Sequence, residues 1–308
     1  MVFHALSLMG HAPPAMLDSL LKRLPPVFQL HDCTPQNVTL TFRALAVLQV
    51  DVPDQVLHAV EDKCLSLIRD FNGQDISGLY WSFATLKKRP SVQLMECMAK
   101  RVVRIQQDLN PQDVSLIAWS VTTGSWHLSE SEKEQEEDLL LNGGVWLRRS
   151  AAVICEYSKA YDPTPVMGAL EERIYAIKDK LMPRDFANVF WAVTRLGAGF
   201  SNFFMTLCEG LESSVSDWQL KDMDPRDIAQ IVQALSMNHT CLDENIVDRE
   251  GRTRLRNLLD ILANMCLNLI HKFNAADISD VLKAVVHLDW TPKMQAKLVK
   301  SPIYSYLT

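Results

Sequence analysis

The 308-residue chain reads as all-α, a single α-solenoid over 1–308 built from about seven to eight helical hairpins of about 38 residues. Three observations lead there. One phrase recurs along the chain, its apolar positions follow a helical period, and a second periodic segment follows most copies. Length alone favours two domains of about 150 residues each. The repeat overrides that prior, because a hairpin cannot bury its apolar face until neighbours stack on it. No strand alternation is present.

The phrase reads TPQNVTLTFRALAVL at 34–48, NGQDISGLYWSFATL at 72–86 and NPQDVSLIAWSVTTG at 110–124. It returns as MPRDFANVFWAVTRLG at 182–197, DPRDIAQIVQALSM at 224–237 and NAADISDVLKAVVHL at 274–288. Each copy has an Asp or Asn near its start: Asn37, Asp75, Asp113, Asp185, Asp227 and Asp277. The first two intervals are 38 residues, the third is 72, and the last two are 42 and 50. The long interval holds one degenerate copy, in which Tyr157 takes the place of a tryptophan.

Counting the acidic position as zero, +1, +4, +5 and +8 are almost all apolar, as in Ile76, Leu79, Tyr80 and Phe83. That spacing is one face of a 3.6-residue helix, here named the A helix. Position +7 is small (Ala44, Ser82, Ser120, Ala192, Ala234, Ala284), which suits close approach of two helices. The Asp or Asn is expected as an N-cap or first-turn acid, entered through the preceding Pro. Second, or B, helices are expected over 54–71, 91–109, 163–181, 202–219 and 254–273.

Three stretches depart from the pattern. Residues 129–138, SESEKEQEED, carry six acids and one Lys and read as an acidic insertion, either a solvated loop or helix start or a binding tail. Residues 238–253 are polar and read as an inserted surface loop that lengthens the last interval. Residues 3–10, FHALSLMG, align with FWAVTRLG at 190–197, so the chain opens in the middle of an A helix. Either a broken first unit acts as a cap, or the true start is missing.

Composition narrows the classes. Apolar residues make 48% and charged residues 22%, an ordinary globular balance. A net charge of −6 excludes a generally basic nucleic-acid coat but leaves room for local basic strips. Seven cysteines with no CxxC pair support neither a disulfide framework nor a zinc site. No apolar run is long enough to cross a membrane. No Lys or Arg occurs in the first 21 residues, so no targeting peptide is visible.

Enzyme signatures are absent: GxGxxG, GxxxxGK, HExxH and GxSxG do not occur. The eight histidines have no metal-spaced partners, and no metal, cofactor or small-molecule substrate is expected. The triplets NVT at 37–39 and NHT at 238–240 read as chance matches to glycosylation sites, with Asn37 better used as a helix cap.

The residues left for binding fall in two groups. Position +6 carries Arg43, Trp81, Trp119, Trp191, Gln233 and Lys283, and helix geometry places +2, +6 and +9 on one line. The tryptophans either stack bases, with Arg43 and Lys283 exposed beside them to hold phosphate, or fill the gap between hairpins; packing is the expected role. The second group is basic: Lys87, Lys88 and Arg89 after one A helix, Lys100, Arg101 and Arg104 on the next B helix, the pair Arg148 and Arg149, and Arg252, Arg254 and Arg256. Residues 87–89, 101 and 104 are expected to converge on one strand of RNA, since phosphate contacts need only local patches.

The phrase PxDhxxhhWAhxxLG in a hairpin of this length resembles the octotricopeptide repeat of algal and plant organelles. It is similar to the heptatricopeptide-type repeats of apicomplexan mitochondrial proteins. The tetratricopeptide alternative fits neither in spacing nor in aromatic pattern. The resemblance implies organellar RNA binding, in transcript stabilisation, translation activation or an organellar ribosome. Members often carry a nuclease-like RAP domain; the residues after the last A helix are too few for one, so neither that domain nor its catalytic activity is expected in this sequence. The expectation is a non-catalytic component of a mitochondrial ribosome or another organellar ribonucleoprotein, touching rRNA and neighbouring proteins, with a plastid as the alternative home. A protein–protein scaffold without RNA contact is the competing reading.

Overall fold

The computed structural model describes residues 2–124, 162–196, 201–214, 224–238 and 249–287. Among these there are thirteen α-helices and no strand. The chain divides into two compact units, the first reaching Ile174 on its second segment and the second resuming at Tyr175.

The first unit holds α1 (Val2–Met9), α2 (Pro14–Phe28), α3 (Pro35–Val47), α4 (Asp54–Leu67), α5 (Gly73–Thr85), α6 (Val92–Ile105), α7 (Pro111–Thr123) and most of α8 (Thr164–Ile177). Its A helices pack in a row, α1 on α3, α3 on α5 and α5 on α7. The B helices α2, α4 and α6 form a parallel row, each packed on the next. The second unit holds α9 (Pro183–Leu196), α10 (Ser201–Ser214), α11 (Pro225–Asn238), α12 (Arg249–Leu269) and α13 (Ala275–His287). There α9, α11 and α13 are the A row, and α10 packs on α12.

The repeat pattern accounts for this packing. Residues at +1, +4 and +8 are fully buried in α5, α7, α9 and α11, for example Ile76, Leu79 and Phe83 or Phe186, Val189 and Val193. Each such side chain contributes about 1.5–3 kcal/mol on burial. The small +7 residues Ala44, Ser82, Ser120, Ala192, Ala234 and Ala284 are buried as well. Larger side chains there would hold the A helices apart. Across α3 and α5 the rings of Phe42 and Phe83 meet edge to face at 4.7 Å.

The acidic position is the third residue of its helix, not the cap. Asn72 and Asp75 bond reciprocally: the Asp75 amide donates to the Asn72 side chain at 2.9 Å, and the Asn72 amide donates to Oδ2 of Asp75 at 3.3 Å. Asn110 with Asp113 and Asn274 with Asp277 repeat this capping box. In α3 the cap is Thr34, whose hydroxyl accepts from the Asn37 amide. Asn37 is therefore not the cap expected above; a cap needs extended backbone, and Pro35 already opens the helix.

The ends of the helices hold further regularities. A-helix ends carry a left-handed residue at +12: Gln49 at φ 52° and Lys87 at φ 53°, with Gly10 at φ 67° after α1. The amides of Val50 and Lys88 reach back to Leu45 and Phe83, closing Schellman turns. Four B helices, α4, α6, α8 and α12, end in a single 3₁₀ turn, at 68–70, 106–108, 178–180 and 270–272. Helix α2 lies outside the expected B segments; Pro25 and Pro26 inside it disguise its pattern. Helix α12 begins at Arg249, five residues before the expected start at 254. The acidic run at 129–138, the degenerate copy with Tyr157, and Arg148 and Arg149 lie outside the described residues.

Candidate functional site

The A-helix surface is narrower than the helical line suggests. In α3, α5, α7, α9 and α11 positions +2 and +9 are buried, as at Thr39, Ser77 and Ser115 (+2) and Ala46, Ala84, Thr122 and Thr194 (+9), whereas Ser279 at +2 of α13 is exposed. The buried residues join helices rather than meet ligands. Ser77 donates to Oδ1 of Asp113 at 2.8 Å, and Thr39 to the carbonyl of Asp75 at 3.3 Å. From α3 to α11 the expected line of +2, +6 and +9 therefore reduces to +6, because the neighbouring helix covers the flanks.

Position +6 stays at the surface. Arg43, Trp81 and Trp119 are half-buried on three successive helices of the first unit, α3, α5 and α7. The Arg43 guanidinium lies 5.4 Å from the centre of the Trp81 ring, a cation–π contact. Arg43, expected exposed, is half-buried with its guanidinium over the indole face. In the second unit Trp191 is half-buried beneath Arg195 at 5.6 Å. Gln233 is tied to Asp280 at 3.2 Å, and exposed Lys283 pairs with the same carboxylate at 3.6 Å. None of the three tryptophans is among the largest fully buried side chains, which are led by Tyr80, Phe42 and Phe71.

The basic residues around α6 do not converge. Residues 87–89 follow the C-terminus of α5. Arg101 donates from Nε to the carbonyl of Phe71, just before the N-terminus of α5, at 2.7 Å. One helix of 13 residues, about 20 Å at 1.5 Å per residue, separates the two groups. Lys87 is exposed; Lys88 pairs with Asp51 at 3.3 Å; Arg89 is half-buried; Arg104 is exposed. Lys100 pairs with Glu96 one turn away.

Arg101 has counterparts the sequence did not flag. Lys63 donates to the carbonyl of Leu30 at 3.0 Å, and Arg173 from Nε to that of Leu109 at 2.8 Å. All three stand four residues before the end of their B helix. Each ties its hairpin to the corner of the preceding one. The signal was available as a basic residue at constant distance from the B-helix end.

Burial shifts several carboxyls. Asp75 and Asp113 are pushed above the usual carboxylate range, first by desolvation, and hydrogen bonds from their caps and from Ser77 pull them back. Asp227 is raised to about 6 by burial and then by Asp224. Burial also drives the thiols of Cys64 and Cys208 well above their normal range, which makes them poor nucleophiles. Among the described residues no group of three or more metal-binding side chains is assembled. No described helix is long and apolar enough to cross a membrane.

Comparison with models of known protein families finds no match along this chain. Comparison with curated proteins finds no significant match either.

Proposed function

We propose that this chain is a non-catalytic RNA-associated repeat protein of an organelle, and that it serves as a structural component of a mitochondrial ribosome or another organellar ribonucleoprotein. In this reading the hairpins form one α-solenoid of about seven to eight repeats through 1–308, and the A-helix edge faces rRNA while other surfaces meet protein neighbours. One observation carries the reading. The same helix position is kept at the surface in three successive repeats, and it holds Arg43, Trp81 and Trp119, residue types that stack on bases and hold phosphate. The resemblance of the phrase to organellar RNA-binding repeats points the same way and supplies the compartment, a mitochondrion or, alternatively, a plastid.

The scaffold reading is favoured by a different observation. Lys88, Lys100, Arg101 and Lys283 each have an intramolecular partner, which lowers the free positive charge available to RNA. The experiment that separates the two is affinity recovery of the tagged chain from organelle lysate, with and without nuclease. Nuclease-sensitive recovery of RNA and ribosomal proteins supports the ribonucleoprotein. Recovery of a protein set unchanged by nuclease supports the scaffold.

A further inference from the structure

Five side chains on three adjacent helices of the first unit form one surface feature. Trp81 and Trp119 stand at +6 of α5 and α7, with Thr85 and Thr123 one turn further on the same helix face. Arg43 of α3 covers one end of the row. The two threonines are alike in an unusual way. Their Oγ1 atoms are shielded from solvent and make no hydrogen bond. Nearby hydroxyls behave otherwise: Ser82, Ser120 and Thr122 all donate to carbonyls one turn back on their own helix. A shielded hydroxyl without a partner is uncommon in a folded chain, and a ligand that draws it to the surface would supply one. Such a hydroxyl recurs at one repeat position, each time one turn along the helix from a half-buried indole.

We propose that Trp81 with Thr85, and Trp119 with Thr123, are two consecutive base-binding positions for single-stranded RNA, with Arg43 holding the phosphate at the α3 end. This rests on the RNA reading above and locates it on the +6/+10 row rather than on the lysines after α5. Trp119 supplies a stacking face, and Trp81 supplies the one opposite the Arg43 guanidinium; stacking accepts any base. Each threonine hydroxyl reaches a base edge by rotation about χ1, which adds a donor or acceptor that favours some bases over others. A row repeated helix by helix suits a linear polymer with one π-face per unit. A peptide with apolar side chains would use neither the guanidinium nor the hydroxyls.

The test uses the full chain and single-stranded oligoribonucleotides of uniform and mixed sequence, titrated over a salt series. Trp119→Leu keeps an apolar side chain but removes the stacking face. It is expected to lower affinity about tenfold or more with the slope of log affinity against log salt unchanged. Arg43→Gln is expected to flatten that slope by about one unit. The double variant Thr85→Val, Thr123→Val keeps shape and is expected to change the ranking of the uniform oligonucleotides while retaining most of the affinity. Circular dichroism confirms that each variant is folded. Wild-type affinity and ranking in folded Trp119→Leu and Thr85→Val, Thr123→Val chains would overturn the assignment and leave the RNA reading standing on other residues. Failure of the wild-type chain to bind any oligonucleotide would overturn both.

Discussion

The hydroxyl of Ser77 on α5 donates to Oδ1 of Asp113 on α7, 36 residues later, at 2.8 Å in a buried setting. The same carboxylate closes the capping box of α7 through its other oxygen, from the Asn110 amide at 3.2 Å. One side chain thus starts a helix and fastens it to the preceding one. Ser77→Ala leaves this buried carboxylate a donor short and is expected to cost about 1–3 kcal/mol. Urea denaturation with an unchanged m-value would show it; a loss below a few tenths of a kcal/mol would mean that the bond contributes nothing net.

Two glycines of α5 are kept for space. A Cβ at Gly78 would lie 2.7 Å from Cγ2 of Thr39, and one at Gly73 would lie 2.6 Å from Oδ2 of Asp113. In an open helix interior Gly→Ala gains about 1 kcal/mol. Gly78→Ala is expected to reverse that sign and destabilise by about 1–3 kcal/mol, because the short, branched Thr39 has no room to yield. The coupled variant Gly78→Ala, Thr39→Ser, which removes the clashing methyl, is expected to recover most of the loss in thermal melts.

Gln49 and Lys87 hold left-handed backbone at equivalent helix ends. A side chain there costs about 1–2 kcal/mol, offset in part by the greater freedom of Gly in the unfolded chain. Gln49→Gly is therefore expected to stabilise by about 0.5–1 kcal/mol, and Gln49→Ala to give no gain. Lys87→Gly tests the same geometry while removing a candidate phosphate contact. On the base-row assignment it raises the melting temperature and leaves oligonucleotide ranking unchanged.

Arg101 serves the fold through its bond to the Phe71 carbonyl. Arg101→Met keeps the apolar stem and is expected to cost about 1.5–3 kcal/mol, the range for hydrogen bonds from charged donors. Its effect on RNA affinity, measured in folded protein, should be smaller than that of Arg43→Gln. A reversal of that order would return Arg101 to the interface.

Asp227 gives a dependence on pH with a definite sign. Its folded value of about 6 lies above the ordinary 3.8, chiefly through burial. Between those values the folded state holds more protons than the unfolded state. Stability therefore falls as pH rises from about 4 to about 6 and then levels off. Asp227→Asn removes this contribution, so its stability relative to wild type should grow over that window and level off above about pH 6. A difference between the two proteins that does not vary with pH would place the titration elsewhere.

Much of this architecture can be read along the chain without coordinates. The apolar period at +1, +4 and +8, the small residue at +7 and the Pro-x-Asp start all act within one or two turns of the same helix. Local spacing is enough to announce the A helices and most B helices. The position of Asp75 and its counterparts as third residues was within reach too, since Asn72, Asn110 and Asn274 stand three residues before them. Helix α2 escaped because paired prolines mask its period, although Pro25 and Pro26 are accommodated within the helix.

Contacts made between helices were not legible in this way. Ser77 and Trp81 sit four residues apart on one helical face, yet Ser77 is buried and Trp81 half in solvent. The difference comes from α7, whose residues enter the chain more than thirty positions later and cover one side of α5. The partners of Arg101, Lys88 and Arg43 have the same origin: a carbonyl, a carboxylate and an indole brought in by neighbouring repeats. A basic residue in a sequence carries its charge but not its counter-group, and in a stack of hairpins that counter-group lies one repeat away. Periodicity determines which face of a helix is apolar. Stacking determines which polar residues remain free to meet another molecule, because exposure depends on what the adjacent hairpin covers.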